Sequence, residues 1–501
     1  MTTSLADRQF DSAWFIPACL AVFALVWTAI LVVAYINVDL HPDVIETWTL
    51  GQNFQWGGSK HPPLMGWVAG LWTLVFPVTD WSFQLLAMTN SAIALWMIDV
   101  VARQFTDDVR KRFVIILLLL LTPIYQFQAQ KFNANSVLFA TWPLAVYCFL
   151  RSFETLQSRW AIAAGVAAAL TMLGKYYSIF LLIGFLLASV VHQDRRRYFT
   201  STAPWISMLA GGLVLSPHIY ALATSSFSSF RYAYAVHGGV TAWDAFSSGL
   251  SFLLGVAATL ALPAIVWAVM IRTRISDYWR DWRSLDSRLK FLLLIGVGTI
   301  ISPPIVSLFS KSVIVPLWAS QGLFIFVVVA VCAARFSIDR IEIVRLAGAI
   351  CIFTIALLLI APVHAYYRNT NPFPEGRNYF SLATKELMAR WTALTPARLK
   401  IVSGERLAAA ISFYSPDHPV YVVPSTPGGA GWQVPPAETL AKGWATMCFD
   451  DDAACQDWSK QVLAAAPRAI SFSFVVQPEF LGRPGTPAKI DAIVLPPAGV
   501  R

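Results

Sequence analysis

The sequence predicts a polytopic α-helical membrane protein of about eleven spans followed by a soluble α/β domain, and three observations carry that reading. Of 501 residues, 57% are hydrophobic and only 13% charged, with a positive mean hydropathy, which is outside the range of a soluble enzyme. Apolar runs of spanning length recur from Trp14 to residue 363. Beyond that point turn clusters such as PSTPGG and GRPGTP appear, and no further run reaches spanning length.

The first run, Trp14 to Ile36, is long enough to span and lacks a small-residue cleavage site at its end, so it is read as a retained helix rather than a signal peptide. Further runs lie at 80–102, 113–129, 136–150, 160–174, 176–191, 203–222, 247–271, 291–309, 313–334 and 346–363. Several are short for a hydrocarbon core of about 30 Å, and the break at Gly174-Lys175 reads either as a tight turn or as an interruption. The net charge of +9 excludes little, because membrane proteins collect Lys and Arg in cytoplasmic loops; nucleic acid is not implied. With a cytoplasmic N-terminus the inner loops hold Arg103, Arg110, Lys111, Arg112, Arg151, Arg159, Arg195, Arg196, Arg197, the bases between Arg272 and Lys290, and Arg335, Arg340 and Arg345. The outer loops of the membrane part hold only Lys60, Lys131, Lys175, Arg231 and Lys311. This asymmetry sets the expected orientation: N-terminus inside, loop 41–63 and C-terminus outside, in a bacterial inner membrane.

The expected domains are 1–363, with the first outer loop 37–79 carrying the active site, and a periplasmic α/β domain at 364–501. In the latter, alternating apolar residues and turn signals predict strands at 399–403, 419–423, 444–449, 468–475 and 489–495 and helices at 405–414 and 453–465. Cys19, Cys148, Cys332 and Cys351 lie in apolar runs and read as packing residues. Cys448 and Cys455 stand in polar sequence, FDDDAACQDW, and in an oxidising compartment a disulfide closing that loop is expected. No GxGxxG or Walker-type phosphate loop is present.

The stretch HPDVIETWTLGQNFQWGGSKHPP, His41 to Pro63, mixes acids, a lysine, histidines, prolines and tryptophans between apolar runs. A plain connector needs none of these, so the loop reads as a site at the membrane surface. Pro42 opens a short helix, and Val44, Ile45, Trp48, Phe54 and Trp56 suit a segment lying on the interface. Asp43 has a plainer reading as a helix-start acid at the positive end of the dipole. Beside Lys60-His61, which precede a stiff Pro pair, it also reads as a base paired with a phosphate holder.

Asp43, Trp48, His61-Pro62-Pro63 and Trp67 together resemble the loop of the protein mannosyltransferase-like membrane glycosyltransferases, in the GT-C superfamily with the lipid A aminoarabinose transferases. The resemblance continues through LGKYYSIFLLIGF from Leu173, SPHIYALATSSFSSFRY from Ser216 and KSVIVPLWA from Lys311, covering most of residues 14 to 330. It implies many membrane helices, interfacial helices in the first outer loop, and transfer of a sugar from a polyprenyl-phosphate carrier to a hydroxyl. It also implies that Asp43 is the catalytic aspartate. Two departures stand out. The family's Asp-Glu pair is Asp43-Val44 here, with Glu46 three positions after Asp43, and a second acid before the fourth span is replaced by Asn135.

The chemistry asks for a base and for cations around a lipid phosphate. Catalytic candidates are Asp43 and, as its rival, Glu46. For the substrate, Lys60, His61 and Arg231 are expected to hold the phosphate, Arg231 because a guanidinium grips phosphate in bidentate fashion. Lys131, Lys175 and Lys311 are further candidates whose plainer role is snorkelling, Tyr176 one whose plainer role is interfacial packing, and Asn135 is the last candidate for the substrate. His61 and His237 lack close ligand spacing, so a divalent metal is left open and no cofactor is required. Partners are then a polyprenyl-phosphate-linked sugar, a lipid A, glycan or protein acceptor, and membrane lipids. The alternative class, a transporter or flippase of the lipid carrier, calls for polar groups near the midplane and repeated halves, whereas here the polar groups gather at the outer ends of the runs. The orientation is testable directly: reporter fusions after Arg112 and after Arg377 should read inside and outside respectively, and the same side at both sites would overturn it.

Overall fold

The computed structural model describes residues 14–58, 60–225, 227–423 and 432–497. Among them, seven helices are long and apolar enough to cross a membrane: Phe15–Ala34, Asp80–Ala102, Ser136–Thr155, Ala203–Thr224, Ala242–Met270, Ser287–Ser310 and Arg340–Thr370. Pro316–Gly322 and Phe324–Ala333, bent by 45° at a short break, make an eighth if the pair is one span. The three remaining expected runs are shorter or broken. Runs 160–174 and 176–191 are the helices Ser158–Gly174 and Ile179–Val191, separated by an extended Lys175 and the 3₁₀ turn Tyr176–Ser178. Run 113–129 is a helix over Val109–Leu119 and, past Pro123, a π-helical turn over Ile124–Gln128; proline lacks the N–H that would continue the ladder. The loop 37–79 adds two short helices, Pro42–Gly51 and Leu64–Thr73.

The chain forms two compact units. The first comprises residues through Trp27, Trp56–Met65 and Leu85–Ile355. Its helices approach closely where small residues allow. A side chain on Gly165 would run into the Ser207 carbonyl, and Ser207 Oγ donates to the Ala161 carbonyl at 2.8 Å. This is the small-residue packing that replaces hydrophobic drive between helices in lipid. Toward the basic ends of the helices, buried Asp99 accepts from Arg103 at 2.6 Å and Arg112 at 3.1 Å, so its charge is paired.

The second unit comprises Thr28–Gln55, Gly66–Gln84 and the chain from Ala356 onward. Its sheet holds β1 (Ile401–Ser403), β2 (Val420–Val422), β3 (Trp444–Phe449), β4 (Ile470–Val476) and β7 (Ala488–Leu495) in the order β2-β1-β3-β7-β4. β5 (Glu479–Phe480) and β6 (Arg483–Pro484) form a separate hairpin over part of the GRPGTP cluster. β1 runs parallel to β2 and β3, while β7 is antiparallel to β3 and β4. These are the five strands expected from the sequence, and the expected helices are Arg406–Tyr414 and Ala453–Ala465. Helix Phe380–Leu394 was not anticipated, and the PSTPGG cluster lies outside the described residues. Trp444, Trp458, Val462, Ile493 and Leu495 build the core under one face. The expected disulfide is formed: Cys448 at the end of β3 bonds Cys455 in the first turn of Ala453–Ala465, with Cα atoms 5.7 Å apart.

Within this unit Asp39, just before the helix Pro42–Gly51, is stitched to the segment before Phe380–Leu394. The Asp39 N–H donates to the Arg377 carbonyl at 2.8 Å, Arg377 Nε donates to the Asp39 carbonyl at 2.9 Å, and the Ser381 N–H donates to Asp39 Oδ2 at 2.8 Å. The Arg377 guanidinium lies over the rings of Tyr35 at 4.8 Å and Phe373 at 4.6 Å, and both Arg377 and Asp39 are buried. Burial lifts the Asp39 carboxyl to about 6, against the pull of the Ser381 bonds and the Arg377 charge. The ordinary value in an unfolded chain is about 3.9. The unfolded chain therefore releases this proton first as pH rises. Stability should fall as pH rises from about 4 through about 6. Thermal unfolding across that window checks this: Asp39→Asn should lessen the slope, and an unchanged slope would exclude Asp39 as a source of it.

Candidate active site

In the second unit, the helix Pro42–Gly51 is set up by its first residues. Pro42 fixes the first helical φ, and His41, in extended conformation, caps the end by accepting the Asp43 N–H at Nδ1, 3.2 Å. Val44, Ile45 and Trp48 form the buried face, with Trp48 edge-on to Phe413 at 5.4 Å and tilted against His418 at 5.2 Å. Asp43 and Glu46, three apart, are left half-buried on another face. Their surroundings differ. Asp43 Oδ1 is 3.7 Å from His41 Nδ1, and His41 Nε2 is 3.8 Å from Glu375 Oε1, so the imidazole stands between two carboxylates. Because Nδ1 accepts a backbone N–H, the neutral ring carries its proton on Nε2, toward Glu375. Glu46 instead bears on Tyr421, whose hydroxyl is pushed up by burial and by the nearby charges of Glu46 and Glu405.

In the first unit, the loop 56–61 is held by its backbone. The Gly58 N–H donates to the His61 carbonyl at 3.0 Å, and Ser229 Oγ donates to the Gly58 carbonyl at 2.7 Å. His218 Nδ1 bonds the Trp56 carbonyl at 2.5 Å, and its Nε2 meets Tyr176 Oη at 2.9 Å. Since a carbonyl only accepts, the ring proton sits on Nδ1 and Tyr176 donates. The Tyr176 ring stacks on Phe230 at 4.6 Å, and Lys60 Nζ lies 5.9 Å from the Tyr232 ring. Arg231, between Phe230 and Tyr232, is exposed. A side chain on Gly57 would press on His218 at 3.0 Å, so this close approach needs glycine.

Next to Tyr176, Lys175 Nζ donates to Asn135 Oδ1 at 2.7 Å and lies 4.7 Å from the Trp318 ring. His237 meets the same ring edge-on at 5.0 Å, and burial followed by the Lys175 charge pushes its imidazole down. Lys175 and Trp318 both sit where the backbone leaves α-helical geometry. The structure thus sets Tyr176 against His218 and Phe230, Lys60 near Tyr232, the residue after Arg231, and joins Lys175 to Asn135. Lys131 gives its carbonyl to Ser136 Oγ at 2.5 Å. Lys311, at φ 48°, ends Ser287–Ser310 and gives its carbonyl to the Val240 N–H at 3.2 Å. Among the described residues, neither ammonium joins the groups above.

His218, Tyr232 and Trp318 in the first unit, and Asp39, Glu375 and Arg377 in the second, are the neighbours of the candidate residues that sequence reading does not single out. A histidine directly after Pro217 near the end of an apolar run was the available signal for His218; for Glu375 and Arg377 there was none. Among the described residues, no group of three or more His, Cys, Asp or Glu side chains is placed to hold a metal ion.

The sequence model of the dolichyl-phosphate-mannose-protein mannosyltransferase family matches residues 60–221. No curated protein matches by sequence. Among solved structures, ArnT from Cupriavidus metallidurans bound to undecaprenyl phosphate is similar over 96% of this chain and 98% of its own, at 12% identity and a TM-score of 0.60. The same protein in the apo state is similar over 95% of this chain and 98% of its own, at 13% identity and a TM-score of 0.58. The chain therefore has an ArnT-like, multi-pass fold with several helices long and apolar enough to cross a membrane, and it is similar to the mannosyltransferase family's model in residues 60–221.

Proposed function

We propose that this protein is an inverting glycosyltransferase that moves a hexose or pentose from a polyprenyl-phosphate carrier to a hydroxyl of a lipid A, glycan or protein acceptor. The reaction takes place on the outer face of a bacterial inner membrane, with the N-terminus cytoplasmic and residues 364–501 periplasmic. Support for the donor class comes from the mannosyltransferase match and from the undecaprenyl phosphate bound to the similarly folded ArnT. The observation that carries the mechanism is Asp43 on the first turn of an interfacial helix, its partner imidazole held by Glu375.

Asp43 acts as the base. It takes the proton of the acceptor hydroxyl as that oxygen bonds to the anomeric carbon, and the bond from that carbon to the phosphate oxygen breaks on the opposite face. The configuration inverts, and the lipid phosphate leaves with the electron pair. Lys60 and Arg231, with His61 shaping the turn between them and the Pro pair, hold the phosphate charge as it grows. Lys175 adds positive charge. Its partner Asn135 is an amide, which accepts a hydrogen bond without neutralising the ammonium. Tyr176 is fixed by His218 as an aromatic wall.

Asp43→Asn keeps the shape and removes the base, so sugar transfer should fall by about 10² to 10⁴ with normal expression. Glu46→Gln should lose far less. Assaying both side by side in vitro decides between them, and near-normal activity in Asp43→Asn would remove the assignment. For the phosphate, Arg231→Ala and Lys60→Ala should each weaken donor binding and turnover together, and normal donor affinity in both variants would sink that role.

A further inference from the structure

In the second unit a cavity of about 570 Å³ opens where the helix Phe15–Ala34 ends and Asp80–Ala102 begins. It lies apart from Asp43 and Glu46, which do not line it. Its wall is unusual in what it offers. Among the described residues Asp80 is the only carboxylate lining it, with the His418 imidazole elsewhere in the wall, and Asp80 Oδ1 already accepts the Tyr414 hydroxyl at 2.8 Å. Thr79 and Gln84 line it as well, and Thr79 Oγ1 and Gln84 Oε1 are buried with no hydrogen-bond partner among the described residues. Gln84 is only 6% exposed. A buried acceptor left unpaired costs about 1–3 kcal/mol, so the wall calls for a donor. Asp80 and Gln84 are one helical turn apart, with Thr79 directly before, which places the three on one stretch of wall.

The rest of the lining says what carries that donor. Ile36, two residues past the end of Phe15–Ala34, and Trp81, in the first turn of Asp80–Ala102, line the cavity and are 63% and 44% exposed. The mouth therefore meets the interfacial region of a bilayer, where tryptophan is favoured. A phosphate finds a carboxylate here and no lining Lys or Arg. A primary ammonium brings three N–H donors and one positive charge to a carboxylate, an amide oxygen and a hydroxyl oxygen. We propose that this cavity binds the primary-ammonium headgroup of an aminophospholipid, with Gln84, Asp80 and Thr79 as the recognising groups and the phosphate and chains outside. The assignment is independent of the transfer chemistry proposed above.

The test uses the full chain in detergent, with retained lipid read by native mass spectrometry. Phosphatidylethanolamine, phosphatidylcholine and phosphatidylglycerol of matched chains serve as probes, and glycerophosphoethanolamine as a chain-free competitor. Phosphatidylethanolamine should be retained about tenfold over phosphatidylcholine, whose trimethylammonium has no N–H; this corresponds to about 1.4 kcal/mol. Phosphatidylglycerol should resemble phosphatidylcholine, and the chain-free head should compete poorly. Gln84→Met, of similar volume, should reduce the preference at least about threefold, with thermal unfolding in lipid-free detergent reporting that the variant is folded. Equal retention of phosphatidylethanolamine and phosphatidylcholine would overturn the proposal without recourse to any variant. Phosphatidylglycerol bound as well as phosphatidylethanolamine would refute the ammonium, and full competition by glycerophosphoethanolamine would refute the lipid. A folded Gln84→Met that keeps the whole preference would place the site elsewhere.

Discussion

The exchange of bonds between Asp39 and Arg377 is the constraint on which the second unit depends. A guanidinium removed from water must be compensated, and here the compensation is spread over a backbone carbonyl, two aromatic faces and a nearby carboxylate rather than given by one ion pair. Asp39 donates its N–H to the Arg377 carbonyl, its own carbonyl accepts from Arg377 Nε and its carboxylate accepts from the Ser381 N–H, so the register between residues 37–41 and 372–381 is fixed. That register brings Glu375 to the far side of His41. The imidazole in turn caps the helix that carries Asp43. A base on an unanchored loop would sample many positions, and positioning errors of about 1 Å are costly to catalysis. The partners are 338 residues apart in sequence, so the helix geometry around Asp43 rests on the C-terminal part of the chain as much as on its own loop.

That separation also explains what the sequence could and could not reveal. Apolar length and turn chemistry are local properties, so the strands of the C-terminal sheet and most spanning helices were legible within a few residues. The expected disulfide was legible for the same reason, since both cysteines sit in one short polar stretch. Run length alone overlooks interruptions. Residues 113–121 are uniformly apolar, yet the helix stops at Leu119 and the chain resumes past Pro123 as a π turn that carries Gln126 and Gln128. The loop 41–63 reads as a candidate site through its composition, whereas the identity of Asp43's neighbours is not legible there. Glu375 reads in isolation as an ordinary acid in a Pro-rich turn. Lys131 and Lys311 are candidates through their charge and place at helix ends, and the structure shows their carbonyls accepting from Ser136 Oγ and from the Val240 N–H respectively.

Asn135 shows how a departure from a family pattern redistributes charge. At this position the resembling family carries an acid, and an acid hydrogen-bonded to Lys175 would form an ion pair with little net field. The amide keeps the bond to Lys175 at 2.7 Å and leaves the positive charge whole. Trp318 then receives that ammonium on its face, an interaction that orients the cation without cancelling it. His237, whose imidazole is pushed toward its neutral form by burial and by this same ammonium, does not compete for an anion nearby. The arrangement suits the holding of an anion better than proton transfer. On the proposed function, acid–base work falls to the helix that opens at Pro42, and an amide at position 135 leaves the case for a phosphate-bearing donor unchanged.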